Sequence, residues 1–298
     1  MTRVLITGAQ GFVGRHLHAH LRARGDLVVG VDRECDVTDE VSVRAVLREV
    51  EPEVIFHLAA LTHVGESWDQ AAEFTRVNVV GTQCLLNAAR AVVPEATTLM
   101  VSTSEVYGLV SEADLPLTET FRVAPLSPYA TSKVEAEHVA REAWRHHDQR
   151  VIIARPFNHL GPGQSPNFFV PALASRLLAA RRDGRDHVVV GDLAPRRDVS
   201  DVRDVVRAYA LLAEYGAPGE VYHVASERDV AMRTLAEMLV ELVAPGTRLE
   251  RDESLVRPVE IPVSRGSAAK IFATTGWRGE IELAQTLRDV VAALEIPD

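Results

Sequence analysis

Short, nearly continuous apolar runs alternate with amphipathic segments through the first half of the chain. Segments with helical spacing cover residues 11–25, 42–50 and 74–92, and a further one carries Tyr129 and Lys133. The runs between them, VLITG, DLVVGVD, EVIFHLAA, TTLMVSTS and RVIIARPF, predict strands at residues 4–8, 26–32, 53–60, 97–104 and 150–157. Because strands without polar alternation are buried on both faces, the pattern predicts an α/β fold with a doubly wound parallel sheet covered by helices.

The regular alternation of predicted strands and helices ends after Pro156. The stretch FNHLGPGQSPNF is rich in Pro, Gly and Asn and predicts a loop at 157–168. The pattern then predicts helices at 168–184, 201–215 and 283–294 and strands at 187–191 and 219–226, the last returning to the first sheet. We therefore expect a dinucleotide-type domain at 1–155, with returns near 198–230, and a smaller interleaved C-terminal lobe at 156–197 and 231–298, which would bind the substrate.

Composition narrows the classes of partner. The formal charge of −10 over 298 residues argues against nucleic acid, which needs a basic surface. No apolar run approaches the roughly 20 residues of a membrane span, and MTRVLITG shows no signal peptide, so we expect a cytoplasmic protein. With only Cys35 and Cys84, we expect neither a disulfide framework nor a metal site.

Three glycines carry the first chemical signal. Gly8, Gly11 and Gly14 follow a predicted strand and open a predicted helix, which is the context of a Rossmann-type dinucleotide fingerprint. Gly8 allows a tight turn, Gly11 lets the backbone approach a pyrophosphate, and Gly14 allows close packing of helix and strand. The helix N-terminus adds partial positive charge for the phosphates.

Residues at the ends of the next strands extend this candidate site. Asp32 suits the ribose hydroxyls of NAD, whereas the adjacent Arg33 suits a 2′-phosphate, so the choice of cofactor stays open. Asp36-Val37 flanks the adenine or forms an ordinary turn. Asn78 lies in an apolar helix and must be hydrogen-bonded, either as a structural link between elements, which we favour, or as a support for the helix that carries the catalytic residues. The candidate cofactor residues are Gly8, Gln10, Gly11, Phe12, Val13, Gly14, Asp32, Arg33, Asp36, Val37, Leu58, Ala59, Ala60, Tyr129 and Lys133.

Tyr129 and Lys133 are four residues apart in SPYATSK and therefore share one helix face. A nearby ammonium favours the phenolate, so the spacing predicts that Lys133 lowers the pKa of Tyr129. Ser102, Thr103, Ser104 and Glu105 end the fourth predicted strand, where a hydroxyl can hydrogen-bond a substrate carbonyl.

These motifs together resemble the extended short-chain dehydrogenase/reductases that act on nucleotide sugars. The likeness spans nearly the whole chain and rests on TGAQGFVG, HLAA, STSEVYG, SPYATSK, RPFNHLGPGQSP, RRDVSDVRDVVRAY, RPVEIPV and a final TGW. The RPFNHLGPGQ stretch and the short chain are most similar to the GDP-4-keto-6-deoxymannose reductases and their relatives.

The resemblance implies roles for individual residues. Thr103, Tyr129 and Lys133 would form the catalytic triad, with Tyr129 as the proton donor, Lys133 on the nicotinamide ribose and Thr103 on the keto oxygen. Glu105 occupies the position of the general base of 4,6-dehydratases, but 4-keto reductases also tend to keep it. The residues implied to contact the substrate are Ser104, Asn158, Arg197 and Arg257.

The activity implied is NAD(P)H-dependent reduction of the C4 keto group of a GDP- or dTDP-linked 4-keto-6-deoxyhexose. One alternative is a 4,6-dehydratase or epimerase using NAD, and another is a non-catalytic NAD(P)-binding sensor. The resemblance also implies a homodimer built from the helices around 72–92 and 129–147.

Overall fold

The computed structural model describes residues 1–255 and 261–295. In the first half, the elements are β1 (Arg3–Thr7), α1 (Phe12–Ala23), β2 (Leu27–Val31), α2 (Glu40–Val50), β3 (Val54–His57), α3 (Val64–Ser67), α4 (Ala71–Thr75), α5 (Gly81–Val92), β4 (Thr97–Val101), α6 (Pro128–His147) and β5 (Val151–Pro156). A π-helical turn, Arg76–Val80, joins α4 to α5, and 3₁₀ turns cover Ser104–Tyr107 and Glu112–Asp114.

The second half has shorter strands. Its elements are β6 (Asn158–Leu160), α7 (Phe169–Asp183), β7 (His187–Val190), β8 (Arg196–Asp201), α8 (Val202–Tyr215), β9 (Val221–Val224), β10 (Asp229–Ala231), α9 (Met232–Val243), β11 (Arg248–Arg251), β12 (Val263–Ser264), α10 (Ala269–Thr275) and α11 (Leu283–Glu295), with a 3₁₀ turn at Glu253–Leu255. No helix within residues 1–255 and 261–295 is both long and apolar enough to cross a bilayer.

The central sheet has six parallel strands in the order β2-β1-β3-β4-β5-β9. This confirms the predicted parallel α/β sheet, including the return of the strand after Gly219. The register pairs Thr7 with His57 and Val101 with Ala154. The carboxyl ends of these strands therefore meet along one edge, where ligands of such sheets bind.

Successive side chains of β1 pack into two different hydrophobic clusters, one on each face of the sheet. Val4 and Ile6 pack with Leu17 of α1 and with α8 on one face of the sheet. Leu5 packs with α2 and with Leu85 of α5 on the other face. This period of two explains why the strand is apolar throughout: both of its faces are covered.

A separate apolar cluster lies outside the sheet. It joins α7, α9 and α11 to β7 through fully or almost fully buried side chains such as Leu173, Leu177, Leu239 and Val290. The loop and strands that follow β5 connect this cluster to the central sheet. The division into a dinucleotide domain and a substrate lobe stays a prediction.

The helix predicted at 74–92 is present and includes a π-helical turn, Arg76–Val80, between α4 and α5. One local expectation was wrong. The segment at 157–168 is not loop throughout, because Asn158–Leu160 forms β6 and pairs with β8.

Strand β8 itself has no apolar signature, because its polar side chains are buried against partners from remote segments. The Asp198 carboxylate accepts hydrogen bonds from the Ser226 backbone and hydroxyl at 2.7 Å each, and from the backbone of Glu227 and Gly266 at 3.1 and 3.2 Å. Burial nevertheless raises the pKa of Asp198 to about 6. The carboxylate fixes β8 to the loops after β9 and β12.

Candidate active site

The glycine turn after β1 is shaped for close approach of backbone to backbone. Gly8 has φ +72°, and a Cβ there would lie 2.7 Å from the Ala59 nitrogen. A Cβ on Gly14 would overlap the carbonyl oxygens of Gly8 and Ala9. Gly14 thus keeps the turn compact, and its closest approach is to the turn itself rather than to the strand.

The start of α1 is suited to an anion. Gly11 caps the helix with no side-chain hydrogen bond, and no acidic residue lies in the first turn. Its first amide groups are therefore left for an external acceptor, on the positive end of the helix dipole. Beside it, the Asp32 carboxylate accepts a hydrogen bond from the Gln10 amide at 3.0 Å. A phosphate site next to a carboxylate at the end of β2 fits a dinucleotide cofactor.

Of the charged side chains that follow Asp32, one belongs to a turn and others lie at the surface. Asp36 accepts from the backbone and hydroxyl of Thr38 at 2.9 and 2.8 Å, which makes it part of an ordinary turn, and its contact with adenine stays a prediction. Arg33 is exposed. Arg76 is held by both carboxylate oxygens of Glu73 at 2.7 and 2.8 Å.

The predicted triad comes together at the ends of β4 and α6. The Thr103 side chain lies close enough to Tyr129 to lower the pKa of its phenol, and Thr103 Oγ1 accepts a hydrogen bond from the Glu105 amide at 3.2 Å. Ser127 caps α6 through the Ala130 amide at 3.1 Å and so fixes the helix that carries Tyr129. Thr103, Tyr129 and Lys133 are each at least nine-tenths buried.

Burial controls the protonation of this group. It raises the pKa of Tyr129; the Thr103 side chain lowers that pKa, and the charge of Glu105 raises it further. Burial lowers the pKa of Lys133 to about 8, against an opposing effect of Glu137. The prediction that Lys133 lowers the pKa of Tyr129 is therefore wrong for the protein alone, since desolvation dominates both groups.

A buried hydrogen-bond chain runs beneath the site from β1. Thr7 Oγ1 lies 2.8 Å from His57 Nδ1, and His57 Nε2 lies 3.1 Å from Thr82 Oγ1. Thr82 donates to the Asn78 carbonyl at 2.7 Å, so it must accept from His57, which assigns the proton to Nε2. Burial and the charge of Lys133 lower the pKa of His57 to about 3, and the imidazole is neutral.

Asn78, in the π turn, joins this chain to the helix of the triad. Its side chain accepts from the Leu61 amide at 2.8 Å, donates to the Leu61 carbonyl at 3.0 Å, and donates to Ser132 Oγ at 2.9 Å. Asn78 is thus both a link between elements and a support for the helix that carries Tyr129.

A buried ion pair, which the sequence analysis did not identify, lies one turn beyond Lys133. The Arg155 guanidinium donates to both oxygens of Glu137 at 2.6 and 2.7 Å, and the Ser102 hydroxyl donates to Glu137 at 2.5 Å. Arg155 also donates to Tyr107 at 2.7 Å. The pair thereby ties α6 to the ends of β4 and β5. The sequence signal was a single charged residue, Arg155, inside the otherwise apolar strand β5, whereas Glu137 lies among many other charged residues of α6.

A cavity of about 450 Å³ lies between β6, α7 and β8, lined in part by Asn158 and Arg197. The structure thus brings together two of the predicted substrate residues, and Thr103, Tyr129 and Lys133 are not among the residues that line this cavity. Ser104 is buried at the start of the 3₁₀ turn that carries Glu105, and Arg257 lies outside the described residues. Other polar side chains in the wall went unnoticed in the sequence because they are scattered along it: Gln164, Asn167, Arg176 and Asp192.

Comparison with known proteins finds relatives over nearly the whole chain. The chain is 36% identical to GDP-6-deoxy-D-mannose reductase of Pseudomonas aeruginosa over 98% of this chain and 97% of that protein. It is 30% identical to dTDP-glucose 4,6-dehydratase of Neisseria meningitidis over 93% of this chain and 88% of that one. The structure of RMD from Pseudomonas aeruginosa complexed with NADPH superposes with a TM-score of 0.92 at 35% identity, covering 99% of each chain. The resemblance seen in the sequence is confirmed. The family model for the NAD dependent epimerase/dehydratase family matches residues 4–225, and the chain belongs to that family.

Proposed function

We propose that this protein is an NAD(P)H-dependent reductase of the C4 keto group of a nucleotide-bound 4-keto-6-deoxyhexose, linked to GDP or dTDP. The observation that carries the proposal is that Thr103 lies beside Tyr129, and affects its pKa, in a buried site that also holds Lys133. The similarity to a GDP-6-deoxy-D-mannose reductase over nearly the whole chain supports the same reaction.

The protonation of the site suits reduction. Bound NAD(P)H supplies the hydride for C4, and the protein must supply a proton to the C4 oxygen. Because burial raises the pKa of Tyr129, its phenol keeps the proton until negative charge develops on that oxygen. Thr103, whose side chain lies beside Tyr129, would bind the same oxygen. Lys133 would hold the nicotinamide ribose.

The cofactor would lie along the edge formed by the ends of β1, β2 and β3. The glycine turn and the first turn of α1, through Gln10, Phe12 and Val13, would hold the pyrophosphate. Asp32 and Arg33 would lie at the adenosine ribose. The backbone of Leu58–Ala60, against which Gly8 packs, would line the rest of the path.

The cavity would hold the nucleotide part of the substrate. Arg197 would neutralise the diphosphate together with Arg257, while Asn158 and Ser104 would contact the sugar. The volume lies within the range of small-molecule sites, about 300–1,000 Å³. We assign this role to the lobe at 156–197 and 231–298, whose apolar cluster forms one wall of the cavity.

The alternative activity, 4,6-dehydration or epimerisation with NAD, is favoured by one observation. Glu105 lies in the 3₁₀ turn beside Tyr129 and affects its pKa, as a base near the reacting sugar would. A dehydratase or epimerase should copurify with NAD, whereas a reductase should exchange its cofactor. A non-catalytic NAD(P)-binding sensor would not require Thr103, Tyr129 and Lys133 together.

We further propose that the protein is a cytoplasmic homodimer. Residues around the expected interface helices leave apolar surface exposed, with Trp68 54% and Val80 44% exposed. Cys35 and Cys84 are free thiols, in keeping with a reducing compartment. Light scattering at micromolar concentration should give the mass of two chains, and the mass of one chain would refute the dimer.

The test of the reaction is incubation with NADPH or NADH and a panel of GDP- and dTDP-linked 4-keto-6-deoxy sugars. Oxidation of the cofactor, followed by absorbance, should accompany a product two hydrogens heavier than the substrate. The Tyr129→Phe variant is the matched control. No oxidation with any member of the panel, or tightly held NAD in the purified protein, would contradict the proposal.

A further inference from the structure

Arg15, exposed in the first turn of α1, bridges the two halves of the active site. One end of its guanidinium donates to the Gln10 carbonyl at 2.7 Å, and the other donates to the Gly163 carbonyl at 3.0 Å. Gln10 belongs to the glycine turn, and its amide is held by Asp32. Gly163 belongs to the segment that begins with Asn158 in the wall of the cavity.

Two further contacts join the same segments. His16 Nε2 donates to the Pro162 carbonyl at 2.9 Å, which assigns the proton to that nitrogen. The rings of Phe12 and His159 stack with centroids 6.2 Å apart and planes 7° apart. The first turn of α1 thus contacts the segment after Asn158 at three successive points.

We propose that Arg15 couples cofactor binding to nucleotide-sugar binding, because it links the Gln10 carbonyl of the glycine turn to the segment at 158–164. The proposal rests on the proposed function, since it assigns the cofactor to the turn and the sugar nucleotide to the cavity. A pyrophosphate bound at the first turn of α1 would further restrain the Gln10 carbonyl. Because the guanidinium contacts both carbonyls, it would pass that restraint to Gly163. Arg15 is accordingly a positioning residue that acts through the segment at 158–164, whose Asn158 and Gln164 line the cavity.

The residue type supports a bridge rather than a simple charge. A guanidinium is a rigid planar fork that can donate to two carbonyls at once, whereas an ammonium is a single point on a flexible stem. Both partners are backbone carbonyls, so the bridge orients the main chain of both segments. Thermodynamic linkage makes the coupling reciprocal. The factor by which bound NADPH raises the affinity for the nucleotide must equal the factor by which the bound nucleotide raises the affinity for NADPH.

Calorimetry with GDP and NADPH measures this factor, because GDP has no keto group and the ternary complex cannot react. The affinity for GDP should rise about fivefold or more when NADPH is saturating, the lower range of known couplings. In Arg15→Met the factor should fall to within about twofold of unity, with each ligand still bound alone. Arg15→Lys should behave like Arg15→Met. Arg22→Met removes an exposed arginine from the same helix and should keep the wild-type factor.

The outcomes separate the coupling from the function. Binding of both ligands to the wild type without coupling overturns the coupling alone. An unchanged coupling factor in Arg15→Met also overturns the coupling by Arg15. Full coupling in Arg15→Lys overturns the bridge as well, because only the positive charge would then matter. Weaker NADPH binding in Arg15→Met with an unchanged factor would make Arg15 a phosphate ligand and overturn the coupling. Where the wild type does not bind GDP, dTDP replaces GDP in the same titrations. Failure of the wild type to bind NADPH, or to bind both GDP and dTDP, overturns the proposed function and the coupling with it.

Discussion

The Asn78 side-chain amide donates a hydrogen bond to Ser132 Oγ at 2.9 Å and so joins the π-helical turn of the chain to the helix that carries Tyr129 and Lys133. The same side chain satisfies both backbone groups of Leu61, directly after the strand end expected to contact the cofactor. π turns are found frequently at functional sites. One buried amide therefore positions both the catalytic helix and the start of the loop after Ala60.

Asn78→Ala should destabilise the protein. It leaves the amide and carbonyl of Leu61 without their partner, and each buried unsatisfied group costs about 1–3 kcal/mol. We expect the free energy of unfolding in urea to fall by about 2–4 kcal/mol. Asn87→Ala, in the same run of helix, loses only a hydrogen bond with Gln83 and should cost less than about 1 kcal/mol. Equal losses in the two variants would contradict the role assigned to Asn78.

Tyr129→Phe should lower turnover by about 10²-fold or more, because it removes the positioned proton donor. NADPH binding should change little, since the pyrophosphate and adenosine contacts lie elsewhere. Steady-state kinetics and a direct NADPH titration check the two parts. Tyr215→Phe, at a side chain that is 55% exposed, serves as the control and should keep wild-type turnover. Near-normal turnover in Tyr129→Phe would remove the tyrosine from the mechanism.

The sequence alone predicted the parts of the fold that depend on a local pattern of residue types. The apolar runs predicted the strands of the central sheet, and Gly8, Gly11 and Gly14 predicted the turn between β1 and α1. Both signals are local, because burial on two faces and a positive φ each restrict the residues in one short segment.

The rest depends on partners far apart in the chain. Strand β8 was missed because its buried Asp198 is satisfied by Ser226 and Gly266, which no local pattern reveals. The bridge made by Arg15 ends on backbone carbonyls, whose residue types carry no signal. The effect of Lys133 on Tyr129 was misjudged because helical spacing does not give the extent of burial.

Cofactor preference should respond to two adjacent side chains. Asp32 is held at the Gln10 amide and repels a 2′-phosphate, whereas the exposed Arg33 attracts it. Since each effect is on the order of 1 kcal/mol at an exposed site, NADH and NADPH should serve within about tenfold of each other. Arg33→Gln should shift kcat/KM toward NADH, and Asp32→Asn should shift it toward NADPH. A wild-type preference above a thousandfold would show that one side chain dominates.

Stability should fall on acidification because two buried histidines stay neutral in the folded protein. Burial lowers the pKa of both His57 and His223 to about 3, from the ordinary value of 6.5. The unfolded chain therefore binds more protons between about pH 6.5 and pH 3, and stability present above pH 6.5 is lost as pH falls. Each histidine should contribute a loss of about 1.4 kcal/mol between pH 7.5 and 5.5.

Urea unfolding at these two pH values measures that loss. The free energy of unfolding should fall between pH 7.5 and pH 5.5 by about 1.4 kcal/mol less in His57→Gln than in the wild type. This comparison does not depend on how much the substitution destabilises the protein at pH 7.5. His138→Gln, at an exposed position of α6, should leave the difference unchanged. An identical difference in His57→Gln and the wild type would mean that His57 titrates normally in the folded protein.

Glu105 separates reduction from dehydration. Reduction at C4 needs one hydride and one proton, and Tyr129 supplies the proton. Glu105→Gln should therefore lower the turnover of a reductase only about tenfold or less, as expected for the loss of one polar contact. Dehydration instead requires a carboxylate to remove the C5 proton, and an amide cannot act as that base. The reaction run in deuterated water gives an independent readout, since a simple reductase places no solvent deuterium on a sugar carbon. Deuterium at C5 in the wild type, combined with no product from Glu105→Gln, would replace the reductase by a dehydratase that uses the same buried tyrosine.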